Sequence, residues 1–182
     1  MQIVLLTSLI MMAFSLHSVT GQSIMLEKES GVISRLIGED QHGNKVKFQP
    51  PEEKPLVLFF LPKTDSRNEA ELYMSNVTNF FENLGEHKNE FINRILVVEP
   101  IRSGPLVNRI FRSKLSNKSF TVMRDLDGKI TDKVNDQAYM IMAWVVGKNG
   151  EIIYITTEPF MESTNRELRK IIEDITNKGP QN

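Results

Sequence analysis

The chain has 182 residues, of which 25% are charged, and its formal net charge is −1, so it is long enough for one domain with a sizeable core. This balance excludes the basic excess of a general nucleic-acid-binding protein and the high net charge of a disordered chain. The chain contains no cysteine, which excludes thiol redox chemistry, iron–sulfur clusters and thiolate zinc sites.

The first segment of the chain indicates that the protein is exported. Residues 3–16 form an apolar run that is short for a membrane span, which needs about 20 residues. Small residues follow at 18–22 and are typical of a signal-peptidase site. We expect cleavage after Gly21, with Thr20 as the alternative. Residues 1–21 are thus a predicted signal peptide and residues 22–182 a single domain, secreted to the extracellular space or the periplasm without stable membrane insertion.

Asn76-Val77-Thr78 and Asn117-Lys118-Ser119 are N-glycosylation sequons. They predict glycan attachment at Asn76 and Asn117 if the source is eukaryotic. The same pattern also arises by chance in a chain of this length, and in a bacterium it carries no meaning.

The pattern of apolar residues predicts strands alternating with helices over a core of residues 31–178. A first hairpin spans 31–48 with its turn at 40–44, and the continuous apolar run at 56–61 indicates a strand buried on both faces. The other predicted elements are a helix at 66–84 ending near Gly85, a strand at 95–98, a helix at 105–115, a strand at 120–123, a turn at 125–128, a hairpin of strands at 140–146 and 152–156, and a helix at 163–177 with Ser163 as its N-cap. This order predicts an α/β fold with a mixed sheet between helices.

Three segments carry a resemblance to a known family: the hairpin at 40–48, the run Leu-Val-Leu-Phe-Phe-Leu-Pro-Lys at 56–63, and the closing hairpin at 144–154. They resemble the thioredoxin-like superfamily, in its branch of peroxiredoxins and thiol oxidoreductases, and the layout is also similar to the cysteine-poor, periplasmic YtfJ-type proteins. The resemblance implies a three-layer sandwich. It also implies a catalytic cysteine near Glu69 and a cis-proline near Met142, and this chain has neither, so it resembles a pseudoenzyme.

Two segments are candidate binding sites. The loop that matches the family's active site would join the carboxyl end of a central strand to the amino end of a helix, where free N–H groups can hold an anion. It consists of Lys63, Thr64, Asp65, Ser66 and Arg67. The alternative is that Asp65 or Ser66 only caps the helix.

The second candidate is a basic stretch at residues 101–124, which contains six basic residues and no acidic residue. Arg102, Arg109 and Arg112 belong to it. Such a surface fits an anionic partner, for example a sulfated glycan, an acidic protein or a lipid headgroup. The alternative is an ordinary solvated helix face.

These observations favour a secreted, redox-inactive binding module that has no catalytic residue, metal site or cofactor and that recognises an unknown protein or anionic ligand, not nucleic acid. Two alternatives stay open. One is an enzyme of a non-thiol class that uses the former active-site pocket, and the other is a chaperone-like helper of the secretory pathway.

Overall fold

A computed structural model describes residues 24–64, 66–85, 88, 90–98, 113, 115–125, 130, 134, 140–156 and 160–177. Its strands, in chain order, are β1 (Met25–Glu29), β2 (Val32–Glu39), β3 (Lys45–Phe48), β4 (Leu56–Phe60), β5 (Asn93–Val98), β6 (Thr121–Arg124), β7 (Met142–Val146) and β8 (Ile152–Ile155). Two long helices lie among the described residues, α1 (Arg67–Glu82) and α2 (Glu162–Asn177).

A five-stranded mixed sheet with the order β6-β5-β4-β7-β8 forms the centre of the molecule. β4 pairs in parallel with β5, and β5 with β6, whereas β7 is antiparallel to both β4 and β8. Every residue of β4 is buried, because β4 is the middle strand and both of its faces are covered. The continuous apolar run thus predicted the central strand correctly.

The two faces of β4 point into different cores, since side chains alternate along a strand. Val57 and Phe59 pack towards α1 and α2, and the ring of Phe59 lies 5.4 Å from Phe80, 5.2 Å from Phe81 and 5.4 Å from Phe160, measured between centroids. One core is therefore dominated by aromatic contacts between the sheet and the two helices.

The opposite face of the sheet is covered by β1, β2 and β3, which form a second, antiparallel sheet. Leu58, Phe60 and Trp144 pack there against residues of the small sheet and against Ile130 and Val134, which are helical. Trp144 is a buried core residue. The predicted three-layer α/β sandwich is confirmed, and the small sheet is an addition to it.

The first strand, β1, was not predicted. It pairs with β2 through a two-residue turn, because Glu29 is opposite Val32 and only Ser30 and Gly31 lie between them. Both turn residues have positive φ, 49° and 80°, which is the requirement of a tight hairpin turn whose twist matches that of its strands. The predicted first hairpin is therefore the second half of a three-stranded sheet.

Other differences concern the helices. α2 begins at Glu162, so Ser163 lies inside the first turn and its predicted role as N-cap is wrong. Leu72 lies on the exposed side of α1, with 58% of its surface accessible, although its spacing matches that of the buried residues. Most of the predicted helix at 105–115 and of the turn at 125–128 lies outside the described residues.

The turn between β2 and β3 reaches the edge of the large sheet. Gln41 accepts a hydrogen bond from the backbone N–H of Val122 (2.8 Å) and donates one to the carbonyl of Phe120 (3.1 Å). The turn itself is closed by the Asp40 carboxylate. Burial alone would raise the pKa of Asp40, but hydrogen bonds from Asn44 and from the backbone of His42 outweigh burial and hold that pKa below its ordinary value.

Candidate functional site

The loop between β4 and α1 lies at the carboxyl end of the central strand, as expected. The chain leaves the sheet after Leu61, whose N–H still donates to the carbonyl of Val97 at 3.1 Å. Lys63, Ser66 and Arg67 are exposed and Thr64 is half-buried. Asp65, the remaining member of the predicted loop, lies outside the described residues.

Three hydrogen bonds close the amino end of α1. Ser66 is the N-cap, and its hydroxyl accepts from the N–H of Glu69 at 3.3 Å. The N–H of Ser66 donates to the hydroxyl oxygen of Thr64 (3.0 Å), and the Thr64 hydroxyl donates to the Glu69 carboxylate (2.5 Å). This arrangement resembles a capping box, with Thr64 interposed between Glu69 and the backbone of Ser66.

The charge at this helix end is already balanced. A carboxylate in the first turn interacts favourably with the partial positive charge of the helix amino terminus, and Glu69 supplies one. Arg67, the first residue of α1, forms an i,i+4 ion pair with Glu71 at 3.0 Å. The position that the resemblance implies for a thiol thus holds a hydrogen-bonded carboxylate, which stabilises the helix and cannot carry thiol chemistry.

Replacement of Ser66 by alanine is expected to lower the free energy of unfolding by about 1 kcal/mol, because the N–H of Glu69 loses its acceptor. Urea denaturation measures the loss. Ser163→Ala is the matched control, since this exposed serine lies in the first turn of α2 and is not its cap. Equal losses in the two variants would show that the Ser66 hydroxyl has no capping role.

The basic stretch is only partly described by the structure. Arg102, Arg109 and Arg112 lie outside the described residues. Lys118 and Arg124 are half-buried and lie on either side of β6, one before its amino end and one at its carboxyl end. The two described members are therefore at opposite ends of the same outer strand.

A polar cavity of about 320 Å³ lies at the amino ends of β5 and β6, where Lys118 and Arg94 line it. The Arg94 guanidinium donates to the carbonyl of Ser119 at 2.7 Å, while its Nη1 is buried with no hydrogen-bond partner. Burial lowers the pKa of Arg94, yet a guanidinium stays protonated in proteins. Among the residues that the structure describes, no carboxylate lies within ion-pair distance of Arg94 or Lys118.

The two sequons lie in different surroundings. Asn117 is exposed in a turn, and Ser119 beside it is also exposed. Asn76 is half-buried in the middle of α1, and its sequon partner Thr78 is buried. The turn therefore offers open space for a glycan, and the helix does not.

In a eukaryotic secretory cell we expect Asn117 to carry a glycan more often than Asn76, since a bulky glycan is accommodated best where it is solvated. Intact-mass spectrometry of the secreted chain measures this. Asn117→Gln should remove most of the glycan mass and Asn76→Gln little of it. A larger loss from Asn76→Gln would contradict the expectation.

A second cavity, which sequence reasoning missed, lies between α1 and α2 and has a volume of about 280 Å³. Four of its lining residues are asparagines: Asn76, Asn79, Asn83 and Asn165. We call it the amide groove. The regular spacing of three of them along α1 is visible in the sequence, but the contribution of α2 depends on the fold.

Within the described ranges, no helix is long and apolar enough to cross a membrane. In that same part of the chain, no group of three or more acidic or histidine side chains is arranged to hold a metal ion.

Comparison with known proteins gives similarity in structure only. No family model matches the chain, and no curated protein matches it. The exposed lipoprotein thioredoxin Etrx1 of Streptococcus pneumoniae is 15% identical, with 77% of this chain and 98% of that chain covered and a TM-score of 0.55. The fold is thioredoxin-like. The peroxiredoxin-like protein of Aquifex aeolicus (12% identity, 85% and 86% covered, TM-score 0.56) and peroxidoxin BcpB of Mycobacterium tuberculosis (12%, 83% and 96%, 0.55) are similar too.

The predicted resemblance to thioredoxin-like and peroxiredoxin-like proteins is confirmed at the level of the fold. The finer resemblance to the YtfJ-type proteins has no support from these structures and stays a prediction. Because the chain contains no cysteine, its thioredoxin-like fold lacks the thiols on which disulfide exchange depends.

Proposed function

We propose that the protein is an extracytoplasmic, redox-inactive binding module without catalytic activity. The observation that carries the proposal is the closed cap of α1. Where redox relatives would need a thiol, Thr64, Ser66 and Glu69 use their hydrogen-bonding groups on one another. A site arranged in this way stabilises the helix, and it holds a carboxylate at the position where redox relatives would need a thiol.

Two observations support a place outside the cytoplasm. The apolar run at 3–16 followed by small residues is typical of a signal peptide, and Etrx1, with which the fold is shared, is described as an exposed lipoprotein. Mass spectrometry of the amino terminus of the exported protein tests this. A mature chain beginning at Gln22 supports export, and an intact Met1 in the cytoplasmic fraction contradicts it.

The partner we propose carries negative charge. The Glu69 carboxylate makes the loop at 63–67 a poor site for an anion, so the basic stretch is the better candidate surface. Lys118 of this stretch supports the choice, because it lines the polar cavity together with Arg94. Asp40 lines the same cavity, but neither of the two cations has a described carboxylate partner. We propose that Arg94 and Lys118 contribute, together with Arg102, Arg109 and Arg112 of the basic stretch, to one anion-binding surface.

Salt elution from immobilised heparin, a sulfated polysaccharide, tests the anion-binding surface. The double variant Arg109→Glu with Arg112→Glu is expected to elute at clearly lower salt than the wild type, since each reversal replaces an attraction by a repulsion. Lys45→Glu with Lys47→Glu is the control, because it changes the net charge equally at two exposed lysines of β3. Equal shifts in both variants would mean that binding depends on net charge alone and would contradict a defined surface.

A further inference from the structure

The amide groove is bounded by two helices and has an aromatic base. Asn76 and Asn79 lie on α1, Asn83 is the C-cap of that helix, and Asn165 faces them from α2. Phe80 and Phe160 line it below, with their rings 5.8 Å apart in an edge-to-face arrangement. Most of the wall residues therefore belong to the two helices, and Phe160 and Met161 come immediately before α2.

The side-chain amides in this groove have no hydrogen-bond partner in the part of the chain that the structure describes. Among the residues that the structure describes, none of the four makes a side-chain hydrogen bond, and the Oδ1 atom of Asn165 is buried with no partner. A buried polar atom without a hydrogen bond costs about 1–3 kcal/mol. Each carboxamide can both donate and accept, so the groove favours a ligand that presents donors and acceptors together.

One end of the groove is fixed by Arg169. Its guanidinium donates to the backbone carbonyl of Asn83 at 2.6 Å and to that of Phe80 at 3.5 Å, and it lies 5.0 Å from the centre of the Phe80 ring. This cation is occupied at the carboxyl end of α1, where a positive charge is favourable. The Glu162 carboxylate also lines the groove, so one negative and one positive charge accompany the four amides. Because these two charges cancel, the groove favours a ligand without net charge.

The spacing of Asn79 and Asn83 is close to the repeat of an extended peptide. Residues at i, i+3 and i+7 share one helix stripe, and with a rise of about 1.5 Å per residue Asn79 and Asn83 are about 6 Å apart along the axis. Peptide groups that face the same side of an extended chain repeat every two residues, about 6.6–6.8 Å. A carboxamide has the same donor and acceptor pair as a peptide group and can bind it through two hydrogen bonds.

Apolar side chains flank these amides. Leu72 lies on the same stripe of α1, one turn before Asn76, and is 58% exposed, and Met161 lines the groove and is 56% exposed. We propose that the amide groove binds an extended, uncharged peptide segment, with its backbone on the asparagine amides and an apolar side chain against Leu72 or Met161. This site is separate from the anion-binding surface, since it uses other residues and binds a ligand of different chemistry.

A phage-displayed library of short uncharged peptides, selected on the full chain, tests the proposal. Enriched peptides are expected to bind the wild type and to lose at least about tenfold in affinity to Asn79→Asp, which keeps the shape but removes the N–H donors. Asn117→Asp, the same change at an exposed turn, should bind as the wild type does. N-methylation of alternate backbone amides of an enriched peptide should also weaken binding about tenfold, because it removes the N–H groups that would donate hydrogen bonds to the asparagine side chains.

Three outcomes would overturn the proposal. The first is a library with no enrichment, and the second is enriched peptides that Asn79→Asp binds unchanged. The third is selective perturbation of the asparagine side-chain NMR signals by maltotriose without any peptide binding, which would assign the groove to a saccharide. Peptide binding that survives Arg109→Glu with Arg112→Glu separates this site from the anion-binding surface. Either of the two proposals can therefore be contradicted while the other stands.

Discussion

Replacing Phe59 with alanine is expected to lower the free energy of unfolding by about 3–5 kcal/mol, the range for a large buried aromatic side chain. Phe59 is fully buried on the central strand, and its ring contacts those of Phe80, Phe81 and Phe160 edge-on. The variant would leave a cavity where the sheet meets both helices, and these elements cannot collapse into it without losing their own contacts. Urea denaturation followed by circular dichroism measures the loss.

Phe91→Ala is the matched control, because it removes the same ring from a position that is 46% exposed. Its expected cost is about 1 kcal/mol or less, since it leaves no closed cavity and surface substitutions are usually mild. If the two variants lost the same stability, the cluster around Phe59 would not be the main core between sheet and helices.

Gly150→Ala is expected to cost about 2–5 kcal/mol, the sum of a strained backbone conformation and an overpacked contact. Gly150 has a φ of +88°, and a Cβ atom there would lie 2.3 Å from the backbone oxygen of Ile33 and 2.7 Å from Cγ of Pro50. The carbonyl of Gly150 also accepts from the N–H of Ile33 at 2.8 Å. An added methyl group would therefore push β2 away from the β7–β8 hairpin.

Gly43→Ala separates the two causes, because Gly43 has the same φ of +88° but no atom within 4 Å of a built Cβ. Its expected cost is about 1–2 kcal/mol, from backbone conformation alone. Thermal unfolding of both variants gives the difference. If Gly150→Ala lost no more stability than Gly43→Ala, the close contacts of the added methyl group with Ile33 and Pro50 would be relieved at little cost. That result would contradict the expected overpacking.

The central sheet could be predicted because its strands differ in composition from everything around them. Leu56–Phe60 is apolar throughout, and Asn149 with Gly150 marks the turn of the closing hairpin. β1 escaped prediction because it is mostly exposed and has no apolar alternation, so only the turn residues Ser30 and Gly31 could have indicated it. Leu72 shows a limit of the helical pattern, since its spacing matches that of the buried residues of α1 although it is exposed.

The candidate site also has one part that the sequence could predict and other parts that it could not. Ser66 as N-cap was one of two predicted alternatives, and a local pattern of hydroxyl and carboxylate residues was enough to suggest it. The link from Thr64 to Glu69 depends on the path of the loop, which composition does not determine. The amide groove joins Asn79 to Asn165, which are far apart in the chain and meet only because α1 and α2 pack on the same face of the sheet.

The contact between Gln41 and β6 has a consequence for self-association. β6 is an outer strand of the large sheet, and outer strands with free N–H and C=O groups can add a strand from another molecule. The side chain of Gln41 holds the N–H of Val122 and the carbonyl of Phe120 in the manner of a neighbouring strand. Because Gln41 already occupies these two backbone groups, they are not available for pairing with a strand from a second copy of the chain.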